Sequence, residues 1–130
     1  MHAIHWFEIP TTDLARAKAF YSTMLGFPAA GFRDEQGGPL QMAVFPYDNA
    51  AHGVGGALIH GGPQKPAATG VIIYLNAGQD LKGAVDRALN VGGQLVQPIT
   101  DIGDPGQIAL IQDLEGNIVG LHQPPAGRQN

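Results

Sequence analysis

There is no cysteine in the 130 residues of this chain, and that one absence removes disulfides, thiolate nucleophiles and zinc–thiolate sites together. Charge is scarce as well: Asp, Glu, Lys and Arg make up 14% of the sequence, and seven basic against eleven acidic residues leave a formal net charge of −4. With no Lys/Arg-rich run, there is no electrostatic grip for nucleic acid or an anionic membrane. No apolar stretch is long enough to span a bilayer, and MHAIHWFEIP lacks the basic flank and apolar run of a secretory signal. The expectation is a cytoplasmic protein whose partner is a small molecule or another protein.

What is present is a hydrophobic content of 44%, with 19 glycines and 10 prolines to punctuate it. That is enough apolar material for one compact domain. IHWFEI (4–9) has the character of a short strand, and Thr11-Thr12-Asp13 supplies helix-capping chemistry. Leu14, Ala17, Phe20, Tyr21, Met24 and Leu25 then follow helical spacing until Gly26. The pattern returns further on. VIIYLNA (71–77) is strand-like, Asp80 can cap, and Leu81, Ala84, Val85, Ala88 and Leu89 fall on one face before Gly92-Gly93. A shift of 67 residues lays Asp13-Leu14 on Asp80-Leu81, Ala17 on Ala84 and Gly26 on Gly93. Helices are therefore predicted near 13–25 and 80–91.

Each helix is followed by β-rich runs: GFRDEQGGPLQMAVFPY and VGGALI in the first half, QLVQPIT, QIALIQD and NIVGLH in the second. The predicted architecture is α+β, two βαβββ modules forming one curved, cup-shaped mixed sheet with the helices outside. Module 1 covers about 4–60, a Gly/Pro-rich linker 61–69, module 2 about 70–123, and a tail 124–130.

The stretches WFEIPTTDLARAKAFYSTMLGF (6–27), VGGAL (54–58) and DLEGNIVGLH (113–122), in that order and spacing, resemble the vicinal oxygen chelate superfamily. This is the group of glyoxalases, bleomycin-resistance proteins and extradiol dioxygenases, and the likeness is to its glyoxalase-like branch without assigned substrate. The resemblance implies four metal ligands, His or Glu, on cup-facing strand positions. Carried onto this chain, those positions are Trp6, a residue close to Gly56, Val71 and Gly120, none of which ligates a metal through its side chain. No metal and no other cofactor is therefore expected, and glyoxalase I activity itself is disfavoured.

Strand alternation from Trp6, Gly56 and Gly120 sends Glu8, Leu58, His60 and His122 into the same cup, and His5 to the other side. Glu8, His122 and His60 are candidate acid/base groups, with Trp6, Gly56, Leu58, Val71 and Gly120 as the substrate-binding wall. Small residues at 56 and 120 would leave room for a ligand. Three alternatives stay open: Glu8 and His122 as a structural hydrogen-bonded pair, a displaced divalent metal on the same two residues, or Trp6 as core filling. The loop YDNAAHGVGG (47–56) has the composition of a flap, on which His52 could close over a bound molecule. A lyase or isomerase is one expectation and a metal-free binding protein the other. The resemblance further implies a homodimer.

Overall fold

The computed structural model describes residues 2–48, 50 and 53–126. The order of elements is β1 (Trp6–Pro10), α1 (Leu14–Leu25), a single 3-10 turn (Ala29–Gly31), β2 (Arg33–Gly37), β3 (Leu40–Val44) and β4 (Gly55–His60). The second half repeats it with β5 (Tyr74–Asn76), α2 (Leu81–Asn90), β6 (Gln94–Asp101), β7 (Gln107–Gln112) and β8 (Ile118–Gln123). These are two βαβββ modules of an α+β fold. The strands form two four-stranded sheets, ordered β1-β4-β3-β2 and β5-β8-β7-β6, rather than one hydrogen-bonded sheet. In each, the first strand runs parallel to the last and the others are antiparallel.

The helices begin where their caps dictate. Asp13 and Asp80 accept from the backbone N–H of Arg16 and Gly83 at 3.1 and 3.2 Å, each cap supplying about 1 kcal/mol. Gly26 closes α1 in the left-handed region at φ 82. The β2–β3 hairpin turns through Gly38-Pro39, with Gly38 at φ 62 providing the positive φ of a tight turn. The second module departs from the predicted strand over 71–77. Only Tyr74–Asn76 pairs, and Val71 stands 92% exposed before it.

One core serves both modules. Phe20, Tyr21 and Met24 from α1, Leu81, Ala84 and Ala88 from α2, Ile9 and Leu58 from sheet 1, and Leu75 and Leu121 from sheet 2 belong to a single buried cluster. Each sheet thus has a helix-covered face and an opposite face. In sheet 1 the pairs Trp6–Gly55 and Glu8–Ala57 share the opposite face, while Phe7–Gly56 and Ile9–Leu58 share the helix face. In sheet 2, Tyr74–Gly120 and Asn76–His122 lie opposite the helices, and Leu75–Leu121 lies beneath them.

The β7–β8 turn joins the halves. Asp113 accepts from the N–H groups of Glu115 and Asn117 at 2.8 and 3.0 Å, and from the Tyr21 hydroxyl on α1 at 2.7 Å. Asn117 donates to the carbonyl of Pro10 at 2.9 Å, and its own carbonyl accepts from Ala67 N–H in the linker at 3.0 Å. The Glu115 carboxylate, 2% exposed, accepts from the N–H groups of Thr12 and Asp13 and pairs with Arg16. At the far end of α1, Arg87 of α2 donates to the carbonyls of Thr23 and Met24. No helix among the described residues is long and apolar enough to cross a membrane.

Candidate functional site

β1 and β5 are the neighbouring edges of the two sheets, and a seam with two clefts runs between them. One cleft, of about 380 Å³, holds Glu8, Ile9 and Pro10 against Val71, Ile73 and Ile118. The other, of about 530 Å³, holds Ile4 and Phe7 against Ile73, Tyr74 and Asn76. The C-terminal end of β1 thus meets the residues entering β5, and the N-terminal end of β1 meets its exit. The two first strands pass in opposite directions, as an internal two-fold relation between the modules requires.

Trp6 and Glu8 do come together. Both are exposed on the face opposite the helices, and the Trp6 indole N–H donates to Glu8 Oε2 at 3.3 Å. His122 and Gly120 are on the corresponding face of sheet 2, and one ring nitrogen of His122, Nε2, lies 2.6 Å from the carbonyl oxygen of Pro105 in the β6–β7 loop. Glu8 shares its cleft with Ile118, whereas His122 lies four residues further along the same strand, roughly 13 Å at 3.3 Å per residue.

Three of the predicted positions are on the wrong side. Parallel pairing puts Gly55, not Gly56, beside Trp6, so Gly56, Leu58 and His60 turn toward the helices. Leu58 is fully buried in the common core, and His60 Nδ1 lies 3.1 Å from the carbonyl of Thr11 at the β1–α1 corner. The cause is a one-residue slip in a segment, VGGAL, whose two adjacent glycines give no side-chain alternation to fix the register. Val71 lies outside the strand, though it still lines the cleft with Glu8. His5 precedes β1, and His52 lies outside the described residues.

The room expected over the glycines is taken. A Cβ at Gly120 would run into the Tyr74 ring, one at Gly56 into Phe7, and one at Gly55 into Tyr47. Each glycine is the seat of an aromatic ring from a neighbouring segment, a packing that any larger side chain would disrupt. At the position where the resemblance implies a carboxylate ligand, the volume of that side chain is occupied by Tyr74. Among the described residues no three His, Asp or Glu side chains gather closely enough to hold a metal ion. The residues present at the four positions do not fit a metal centre.

The geometry of two βαβββ modules agrees with comparisons to known proteins. Residues 3–121 match the Glyoxalase/Bleomycin resistance protein/Dioxygenase superfamily. The chain is 33% identical over 125 residues to "Putative glyoxylase CFP32" of Mycobacterium tuberculosis and of Mycobacterium bovis, covering 92% of this chain and 44% of theirs. It therefore spans less than half the length of those relatives. Among solved structures, TnmS3, an antibiotic binding protein from Streptomyces sp. CB03234, superposes with a TM-score of 0.66 at 21% identity, covering 95% of this chain and 97% of that one. A glyoxalase I mutant from Zea mays gives 0.64 at 16% identity, covering 92% of this chain and 45% of that one. These last two likenesses establish the fold alone. The chain belongs to the glyoxalase/bleomycin resistance protein/dioxygenase superfamily.

Tyr74 reads in the sequence only as one residue of a strand, and its role at Gly120 comes from the pairing of β5 with β8. The available signal is its place beside Gly120: a strand glycine facing an aromatic residue on the paired strand is a packing unit. Asn76 is likewise not singled out in the sequence; its Oδ1 accepts from Gly78 N–H at 2.8 Å.

Proposed function

We propose that this protein binds a small aromatic molecule without a metal ion, on the face opposite the helices around Trp6, Glu8 and Tyr74. The observation that carries the reading is Tyr74 seated over Gly120. An aromatic ring stands where a metal-dependent member needs a carboxylate, and with Trp6 it gives two large aromatic groups, 42% and 47% exposed, on the first strands of the two modules. Exposed aromatic surface of this kind offers stacking and apolar contact, while Glu8 adds one acceptor for orientation. That TnmS3 is an antibiotic binding protein makes antibiotics the first compounds to try.

The chemistry available to a lyase or isomerase is thinner. Glu8 could act as a base through the carboxylate oxygen not engaged by Trp6, with His122 at the far end of the substrate. That second reading predicts turnover abolished by Glu8→Gln. The binding reading predicts that Trp6→Ala and Tyr74→Ala each weaken binding of an aromatic antibiotic at least tenfold in calorimetry, while Glu8→Gln changes it less. Should calorimetry with bleomycin and a set of polycyclic aromatic antibiotics give no saturable heat, the binding reading fails. Pairing into homodimers is part of the proposal, supported by Leu95, Val96 and Ile99, which are exposed on the edge strand β6.

A further inference from the structure

The two seam clefts occupy equivalent places in the two modules, yet their chemistry differs. The smaller carries Glu8 and Lys65 and is crossed by the linker, which Asn117 pins through Ala67 N–H. The larger, about 530 Å³, has no Asp, Glu, Lys or Arg among its described lining residues. Its walls are Ile4, Phe7, Val54, Ile73 and Tyr74, and Ile4 and Tyr74 leave 52% and 47% of their surface exposed. A volume of this size lies within the range of small-molecule sites.

Polarity enters this cleft chiefly through Asn76. Its carbonyl oxygen is held by Gly78 N–H at 2.8 Å, which fixes the orientation of the amide and leaves its two N–H donors as the polar groups it offers. His2 is the sole ionisable nitrogen base among the described lining residues. With no Asp, Glu, Lys or Arg among its described lining residues, the cleft offers a ligand chiefly apolar and aromatic contact.

We infer that the cleft bounded by Ile4, Phe7, Ile73 and Tyr74 is a binding site for a neutral, planar aromatic molecule whose carbonyl oxygen accepts a hydrogen bond from the Asn76 amide. This site goes beyond the binding function proposed above and shares with it only Tyr74, whose ring covers Gly120 and walls the cleft. Trp6 and Glu8, by contrast, are outside the residues that form this cleft.

The probe is Prodan, a neutral naphthalene dye with one ketone, titrated into the full chain and followed by its emission maximum, which shifts to the blue on leaving water. The expected result is saturable one-to-one binding in the micromolar range. Ile4→Glu, which puts a charge on an exposed wall, and Asn76→Asp, which keeps the acceptor for Gly78 and removes the donors, should each weaken it at least tenfold. Lys82→Ala, on the exposed side of α2 and outside the cleft lining, should leave it within twofold. Circular dichroism on all three variants verifies that the fold is intact. If Prodan binds but Ile4→Glu and Asn76→Asp leave it unchanged while a Trp6→Ala variant of the open face weakens it, the cleft assignment is overturned and binding on the open face stands. If no saturable binding occurs, the cleft assignment falls, and calorimetry with the antibiotics judges the open face separately.

Discussion

Gly120, where the family resemblance implies a metal ligand, does not accept a carboxylate side chain by a single substitution. A Cβ at this position meets the Tyr74 ring before any carboxylate is reached. Gly120→Glu should therefore cost about 1–3 kcal/mol, the usual range for overpacking, and show as a lowered melting temperature. Gly120→Glu combined with Tyr74→Ala should recover part of that loss, since the ring is the obstacle. Tyr21 makes a second prediction at this scale. Burial, and then the Asp113 carboxylate that its hydroxyl faces, raise its pKa well above the ordinary 10.0. Above pH 10 the unfolded chain releases a proton that the folded chain still holds, so stability is complete below that pH and falls as pH rises. The slope reaches at most about 1.4 kcal/mol per pH unit. Urea midpoints measured from pH 8 to 11 should show this alkaline limb in the parent and a flatter one in Tyr21→Phe. That variant leaves Asp113 with three donors, from Glu115 and Asn117, so its cost at neutral pH should be about 1 kcal/mol.

Among the elements, α1 depends on a turn that is 102 residues away in sequence. Glu115 takes two N–H groups at the N-terminal end of α1, where the helix dipole also favours a negative charge. Glu115→Ala leaves those donors without their partner and should cost about 1–3 kcal/mol in urea denaturation. Arg16→Ala removes only a 3.5 Å pair to an arginine that is 46% exposed, and should cost well under 1 kcal/mol. Equal losses from the two variants would contradict the capping account. This clamp also marks how far the sequence was legible. Asp113, Glu115 and Asn117 were readable as a turn because turn chemistry is local. Their partners Tyr21, Thr12 and Pro10 were not, since no local pattern carries a contact between modules. The helices were read to within a residue because Asp13, Asp80 and Gly26 are local signals. The extent of β5 was misjudged because β-branched residues at 71–73 satisfy strand propensity without a partner strand to pair with.

Across the whole molecule, the repeat was legible and the faces were not wholly so. Trp6 and Glu8, with Gly120 and His122, were assigned to the correct sides of their sheets because alternating apolar residues flank them. Gly56, Leu58 and His60 were not, since the Gly55-Gly56 pair conceals a one-residue slip. Those three face the helices, whereas the Tyr74 partnership with Gly120 needs pairing across strands to become visible. One core runs beneath both modules, and the open faces and the seam between them carry the exposed aromatic residues Trp6 and Tyr74. The most direct test of the proposed function compares metal-stripped and metal-loaded protein. After dialysis against EDTA, and again after adding one equivalent of zinc or nickel, the chain is titrated with an aromatic antibiotic while Trp6 emission and calorimetric heat are followed. The account predicts the same micromolar binding in both samples and no stoichiometric metal retained after gel filtration. Binding or turnover that appears only in the metal-loaded sample would contradict it.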